Sequence, residues 1–238
     1  MQIGLFIPCL VDQFFPQAGL AVARILKRLG HSVEYPAEQT CCGQPAFNAG
    51  VRSEATALAK RFVQVFDRFE AVVAPSGSCV AMVRNFYPEL LGDGNGPARV
   101  PLAERVFEFS EFLVDRLNVT DLGATFNERV TYHDSCHLLR ELRVQEQPRK
   151  LLRAVKGIDF VELNDGPTCC GFGGVFSVKF PEVSTVMGED KVAAIERTGA
   201  RYVTAGDCGC LMHIGGLLTR RGSKVRPIHL AELLGGAA

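Results

Sequence analysis

Apolar residues alternate along this chain between two periods. Short β-branched runs at Ile3 to Ile7, Ser32 to Tyr35, Ala71 to Ala74, Val130 to His133, Asp159 to Leu163, Arg201 to Ala205 and Val225 to Ile228 have the length and composition of buried strands. Between them, Leu58, Phe62, Val65, Phe66 and Phe69 recur at steps of three and four, which makes one apolar helix face. Ala21, Ile25, Leu26 and Leu29 do the same before a terminating Gly30, and Leu151, Leu152 and Val155 precede Gly157. These stripes are core packing. Strand alternating with helix predicts an α/β fold with parallel sheets and right-handed crossover helices. Ligand groups in such sheets gather in loops beyond the strand C-terminal ends.

The pattern is written twice. Cys9 is followed after 31 residues by Cys41-Cys42 and after 36 more by Cys79; Cys136 is followed after 32 by Cys169-Cys170 and after 39 by Cys210. The flanks repeat as well: "IGLFIPC" matches "VTYHDSC", "VVAPSGSC" matches "YVTAGDCGC", and "FEFSEFL" matches "IHLAELL". Two homologous halves therefore meet within 115–128, which divides the chain into 1–120 and 121–238, each with one small parallel sheet and metal-binding loops at its strand ends. Cys208 is unmatched, since the first half has Gly77 there.

Composition narrows the chemistry. The 238 residues are 47% hydrophobic, and 26 basic side chains balance 26 acidic ones, so no global field exists to collect nucleic acid or anionic lipid. The first residues carry no basic leader pattern, and no run reaches the ~18 apolar residues of a membrane span. A cytoplasmic protein is expected. Nine cysteines in reducing cytosol point to metal binding or redox chemistry rather than to disulfides.

Four cysteines per half, each just past a strand, should converge on two separate sites. Four thiolates suit an all-cysteine zinc site or an iron-sulfur cluster. Both thiols of an adjacent pair can face one site only if the chain turns sharply, which Gly43 and Gly171 permit through positive φ. Neighbouring thiolates are awkward on one tetrahedral ion yet fit two irons of one cluster, and the repeat lacks the local Cys pairs of structural zinc sites. Iron-sulfur is preferred; zinc stays open as a structural alternative, as does a thiol-disulfide enzyme. The glycines of "GFGG" (171–174) and "GDGNG" (92–96) match neither a dinucleotide fingerprint nor a phosphate loop, and the second is read as a surface turn. His133, His137 and His213 each lie within four residues of a second-half cysteine. They are candidates for donating to cluster sulfur, moving a proton or holding a carboxylate substrate. Asp134 lies in the same loop, and Arg140, about one helical turn after Cys136, could meet an anion; both are weaker candidates.

The full set "QTCCGQPAFNAG", "SGSCVAMVR", "DSCHLLRELRV", "TCCGFGGVFSVKFPEVS" and "CLMHIGG" resembles the cysteine-rich CCG domain family. That family includes the cysteine-rich component of heterodisulfide reductase and the iron-sulfur components of glycolate oxidase and anaerobic glycerol-3-phosphate dehydrogenase. The likeness runs closest to the lactate-utilization protein A family. It implies a cytoplasmic iron-sulfur electron-transfer subunit of a system oxidising L-lactate to pyruvate. A ferredoxin-type iron-sulfur protein and further lactate-utilization subunits would be its partners, because this chain has no ferredoxin segment. It also implies Cys9, Cys41, Cys42 and Cys79, and Cys136, Cys169, Cys170 and Cys210, as ligands of one 4Fe-4S cluster per half. The alternative is the noncubane cluster of heterodisulfide reductase, held by five cysteines ending in C-x-x-C. Here Met82 and His213 stand at the fifth position, and Cys208 is the replacement available to the second site.

Overall fold

The computed structural model describes residues 1–92, 96–164, 166 and 168–236, so the centre of "GDGNG" lies outside the described residues. Strands β1 (Gln2–Leu5), β2 (Ser32–Glu34), β3 (Ala71–Ala74) and β4 (Val106–Glu108) form one parallel sheet in the order β2-β1-β3-β4. Strands β5 (Arg129–Tyr132), β6 (Asp159–Glu162), β7 (Tyr202–Ala205) and β8 (Arg226–His229) form a second in the matching order β6-β5-β7-β8. The expected α/β duplication is present. In each sheet the order reverses between the first and third strands, where open parallel sheets form a crevice.

Seven strands were legible as apolar runs; β4 was not. Its three residues end in Glu108, whose side chain is fully buried because it caps the following helix, accepting from the Ser110 and Glu111 amides. Burial pushes that carboxyl up to about 7. Pro227 is tolerated in β8 because the strand is at a sheet edge. The predicted helix stop is observed: helix Pro16–Arg28 ends as Gly30, at φ 84°, donates to the Lys27 carbonyl and His31 to that of Leu26. Phe69, assigned to a helix face, lies beyond helix Arg52–Phe66 and packs where a side chain at Gly4 would have to be.

Contacts between the halves come in reciprocal pairs. Helix Leu230–Leu234, from the end of the second half, packs on helix Pro16–Arg28 of the first. In return the segment Phe109–Arg116 packs on helix Glu146–Arg153. Helix Gly77–Ala81 likewise meets the helical turn His137–Glu141, while helix Cys208–Arg220 meets helix Cys9–Phe14. Such exchange marks an approximate two-fold relation. Ser76 and Asp207, counterparts in the repeat, form an antiparallel bridge on it, with the Gly77 amide donating to the Gly206 carbonyl at 3.1 Å. One apolar core runs through both halves, including Ile25 and Leu26 with Leu151, Leu152, Leu230 and Leu234. Among the described residues no helix is long and apolar enough to cross a membrane.

Candidate metal centre

Every cysteine follows the C-terminal end of a strand. Cys9 opens a helix after β1 and Cys79 sits in the helix after β3; Cys136 and Cys210 repeat this after β5 and β7. The adjacent pairs follow β2 and β6. Gly43 (φ 86°) and Gly171 (φ 90°) turn the chain behind each pair, and each donates its amide at 3.4 Å to the first thiol, Cys41 Sγ or Cys169 Sγ. The positive φ expected of both glycines is therefore observed. Their surroundings differ. A Cβ at Gly171 would stand 2.4 Å from the Ser184 carbonyl oxygen, whereas at Gly43 the nearest atom is 3.4 Å away. An L-residue in this region costs ~1–2 kcal/mol by itself. Gly171→Ala should therefore lower the urea midpoint more than Gly43→Ala, the excess arising from displaced backbone; equal shifts would show that helix Pro181–Arg197 yields freely.

Within each half the thiols touch in the same chain. Cys9 Sγ lies 3.8 Å from Cys41 Sγ, Cys41 contacts Cys42, and Cys42 Sγ lies 3.4 Å from Cys79 Sγ. Cys136, Cys169, Cys170 and Cys210 repeat that sequence of contacts. One thiol of each quartet is held towards ionisation. Contacts from Cys42 and then Cys9 pull Cys41 down, with the Gly43 amide adding to them; contacts from Cys136 and Cys170 do the same for Cys169. Cys42 is pushed up in turn by its Cys41 contact, as Cys170 is by Cys169.

The two quartets face a common space. All nine cysteines line one cavity of about 430 Å³, closed on one side by Phe172, Gly173 and Gly174 of "GFGG". The two-fold packing turns the crevices of both sheets towards each other, so the two expected four-thiolate sites open into one space. Cys208 is buried within reach of the charges of both Cys79 and Cys210. Its counterpart, Gly77, has no room for a side chain: a Cβ there would meet Leu138 at 2.9 Å.

Several supporting residues were missed in the sequence. Tyr87, fully buried, donates its hydroxyl to the Cys42 carbonyl at 2.9 Å and fixes the first pair. Asp207 caps its own helix through the Gly209 amide (3.0 Å) and accepts from the Ser78 amide of the other half (2.9 Å). A capping residue directly after a strand was the available signal for Asp207; Tyr87 had none.

The histidines separate. His137 lines the cavity, with Nδ1 2.7 Å from Glu141 Oε1. His213 turns towards helix Pro181–Arg197, with Nε2 3.3 Å from the Ser184 carbonyl oxygen, and Met212 faces the cavity beside it. His133 is fully buried, and a ring nitrogen lies with Cys170 Sγ and Cys210 Sγ in a group mutually within 4.8 Å. Burial lowers that imidazole to about 3, so it is neutral. Met82 is buried in the first-half core. Asp134 is not a solvated surface charge: Arg149 grips both its oxygens, at 2.9 and 2.7 Å.

This donor set, all sulfur but for one neutral imidazole, fits zinc or an iron-sulfur cluster. The shared cavity of about 430 Å³ has room for more than a single ion in each quartet.

A duplicated parallel α/β protein with paired cysteine quartets at its strand ends is thus defined. The cysteine-rich domain model of the CCG family matches residues 3–84 and again 130–215. The chain belongs to that family, in its lactate utilization protein A group. It is 48% identical over 237 residues to Lactate utilization protein A of Oceanobacillus iheyensis, covering 98% of this chain and 96% of the relative. It is 45% identical over 236 residues to the Bacillus subtilis protein of that name, covering 98% and 99%. Among solved structures, a putative Asp/Glu racemase from Yersinia pestis aligns at TM-score 0.36 and 11% identity, over 98% of this chain and 95% of that one, too distant to carry an argument.

Proposed function

We propose that this chain is the iron-sulfur electron-transfer subunit of a cytoplasmic system that oxidises L-lactate to pyruvate. The observation that carries the reading is the pair of matched cysteine quartets opening into one cavity large enough for inorganic clusters. Lactate is supported by the names of the relatives. Clusters held there would take up and pass on single electrons. The chain supplies the rest. Cys9, Cys41, Cys42 and Cys79 would hold one cluster, of the 4Fe-4S or the noncubane type, and Cys136, Cys169, Cys170 and Cys210 the other; Asp207 ties the two loop sets together. Converting lactate to pyruvate releases two electrons and two protons, and His137, paired with Glu141 on the cavity wall, can receive a proton there. His133 and His213 are further candidates for proton handling beside the second quartet. The substrate-oxidising step and onward transfer belong to partners, a ferredoxin-type iron-sulfur protein among them.

Anaerobic purification with iron, sulfide and zinc analysis tests this. A brown protein with iron and acid-labile sulfide is expected; colourless protein with stoichiometric zinc overturns it. The zinc reading has one observation in its favour: sulfur separations of 3.4 and 3.8 Å are near the ~3.8 Å edge of a tetrahedron with 2.3 Å bonds. The isolated, iron-loaded chain should not reduce a dye with lactate, and should do so only when partner proteins are added. Robust turnover by the pure chain would show that the lactate chemistry is its own.

A further inference from the structure

His133 and Phe6 are counterparts in the repeat, three residues before Cys136 and Cys9, and both are fully buried. Phe6 behaves as a core residue, packed edge-on against Phe62 (4.9 Å) and Phe66 (5.6 Å). His133 does not. Neither ring nitrogen has a hydrogen-bond partner among the described residues, and a buried polar atom left unpaired costs on the order of 1–3 kcal/mol. The position is set by backbone, since the His133 amide donates to the Thr204 carbonyl at 2.8 Å and continues the β5–β7 ladder. Its ring thereby stands against the thiols of Cys170 and Cys210. The charged groups facing it are Lys191 and Cys169.

We infer that His133 is a metal ligand: a ring nitrogen joins the four thiolates of the second quartet, giving that site a mixed nitrogen and sulfur donor set where the first has sulfur alone. This rests on the second quartet holding a metal, as proposed above. A coordinated nitrogen removes the unpaired lone pair, and imidazole beside thiolate suits both zinc and iron. The difference between the halves then has a chemical meaning. A neutral nitrogen donor on one cluster and not on the other gives two clusters in one cavity different ligand sets, and so different reduction potentials.

The test uses the whole chain carrying Cys41→Ser and Cys42→Ser, which isolates the second site. It is loaded anaerobically with iron and sulfide, or with zinc, and X-ray absorption is recorded at that metal's edge. A nitrogen neighbour is expected, at about 2.0–2.1 Å for zinc. His133→Phe should abolish it and weaken metal retention by about tenfold or more. His133→Cys should keep the metal with a sulfur-only shell. A sulfur-only shell in the parent with His133 intact overturns the inference, and this does not depend on either variant folding. If the chain with all nine cysteines intact, loaded in the same way, binds neither metal, the proposed function fails and the ligand assignment with it.

Discussion

With Cys41 and Cys42 both changed to serine, bound iron should fall to about half that of the parent chain, because one of two thiolate quartets is lost. Each half builds its quartet from its own strand ends, so the loss should stay local: Cys169→Ser with Cys170→Ser should remove the other half of the iron. The first pair is the deeper test of folding. Cys42 is buried and its carbonyl accepts from Tyr87, so a serine there leaves the backbone anchor in place while removing the soft donor. Circular dichroism should change little while iron content halves. Full iron in the Cys41, Cys42 double variant would dismiss these residues as ligands, and complete loss from either pair would mean that the quartets fill only together.

The second large effect is away from the sulfur. Arg149, 7% exposed, binds Glu162 through Nε at 3.0 Å and Asp134 through both terminal nitrogens, and donates to the Gln145 carbonyl at 2.8 Å. The Asp134 contact raises the guanidinium's pKa, so the arginine is charged at any working pH. Arg149→Ala leaves two carboxylates partly buried without their cation, a loss of ~3–5 kcal/mol for a buried pair. Lysine cannot reproduce the planar fork and should rescue poorly. Asp134 leads through Ser135 to Cys136, so metal retention should fall at the second quartet before the first. Urea unfolding with metal analysis of the fractions checks both parts. A variant with unchanged midpoint would show that the triad is dispensable.

The sequence reading reached the repeat, the strand-end cysteines and the glycine turns, because each leaves a local mark: a spacing, a run of β-branched residues, a glycine behind a pair. It missed β4 because Glu108 looks like a surface residue until the capping of its own helix is seen; "IHLAELL", matched to "FEFSEFL", already held the answer, since Ile228 stood in a predicted strand. The union of two sites into one cavity was invisible, since it depends on how helix Gly77–Ala81 meets the turn His137–Glu141, a matter of docking and not of spacing. The Asp134–Arg149 pair was missed for a related reason: fifteen residues and a helix separate partners that meet only in three dimensions.

The exchange of terminal helices between halves, Leu230–Leu234 onto one side and Phe109–Arg116 onto the other, is the arrangement of a symmetric dimer whose protomers swap their last helix. Two identical protomers cannot differ at a shared cavity, since every substitution appears on both sides. Joining them in one polypeptide removes that constraint. Phe6 opposite His133, and Gly77 opposite Cys208, are asymmetries that only a fused pair can carry, and they stand at the places where two otherwise matched sites can take on different work.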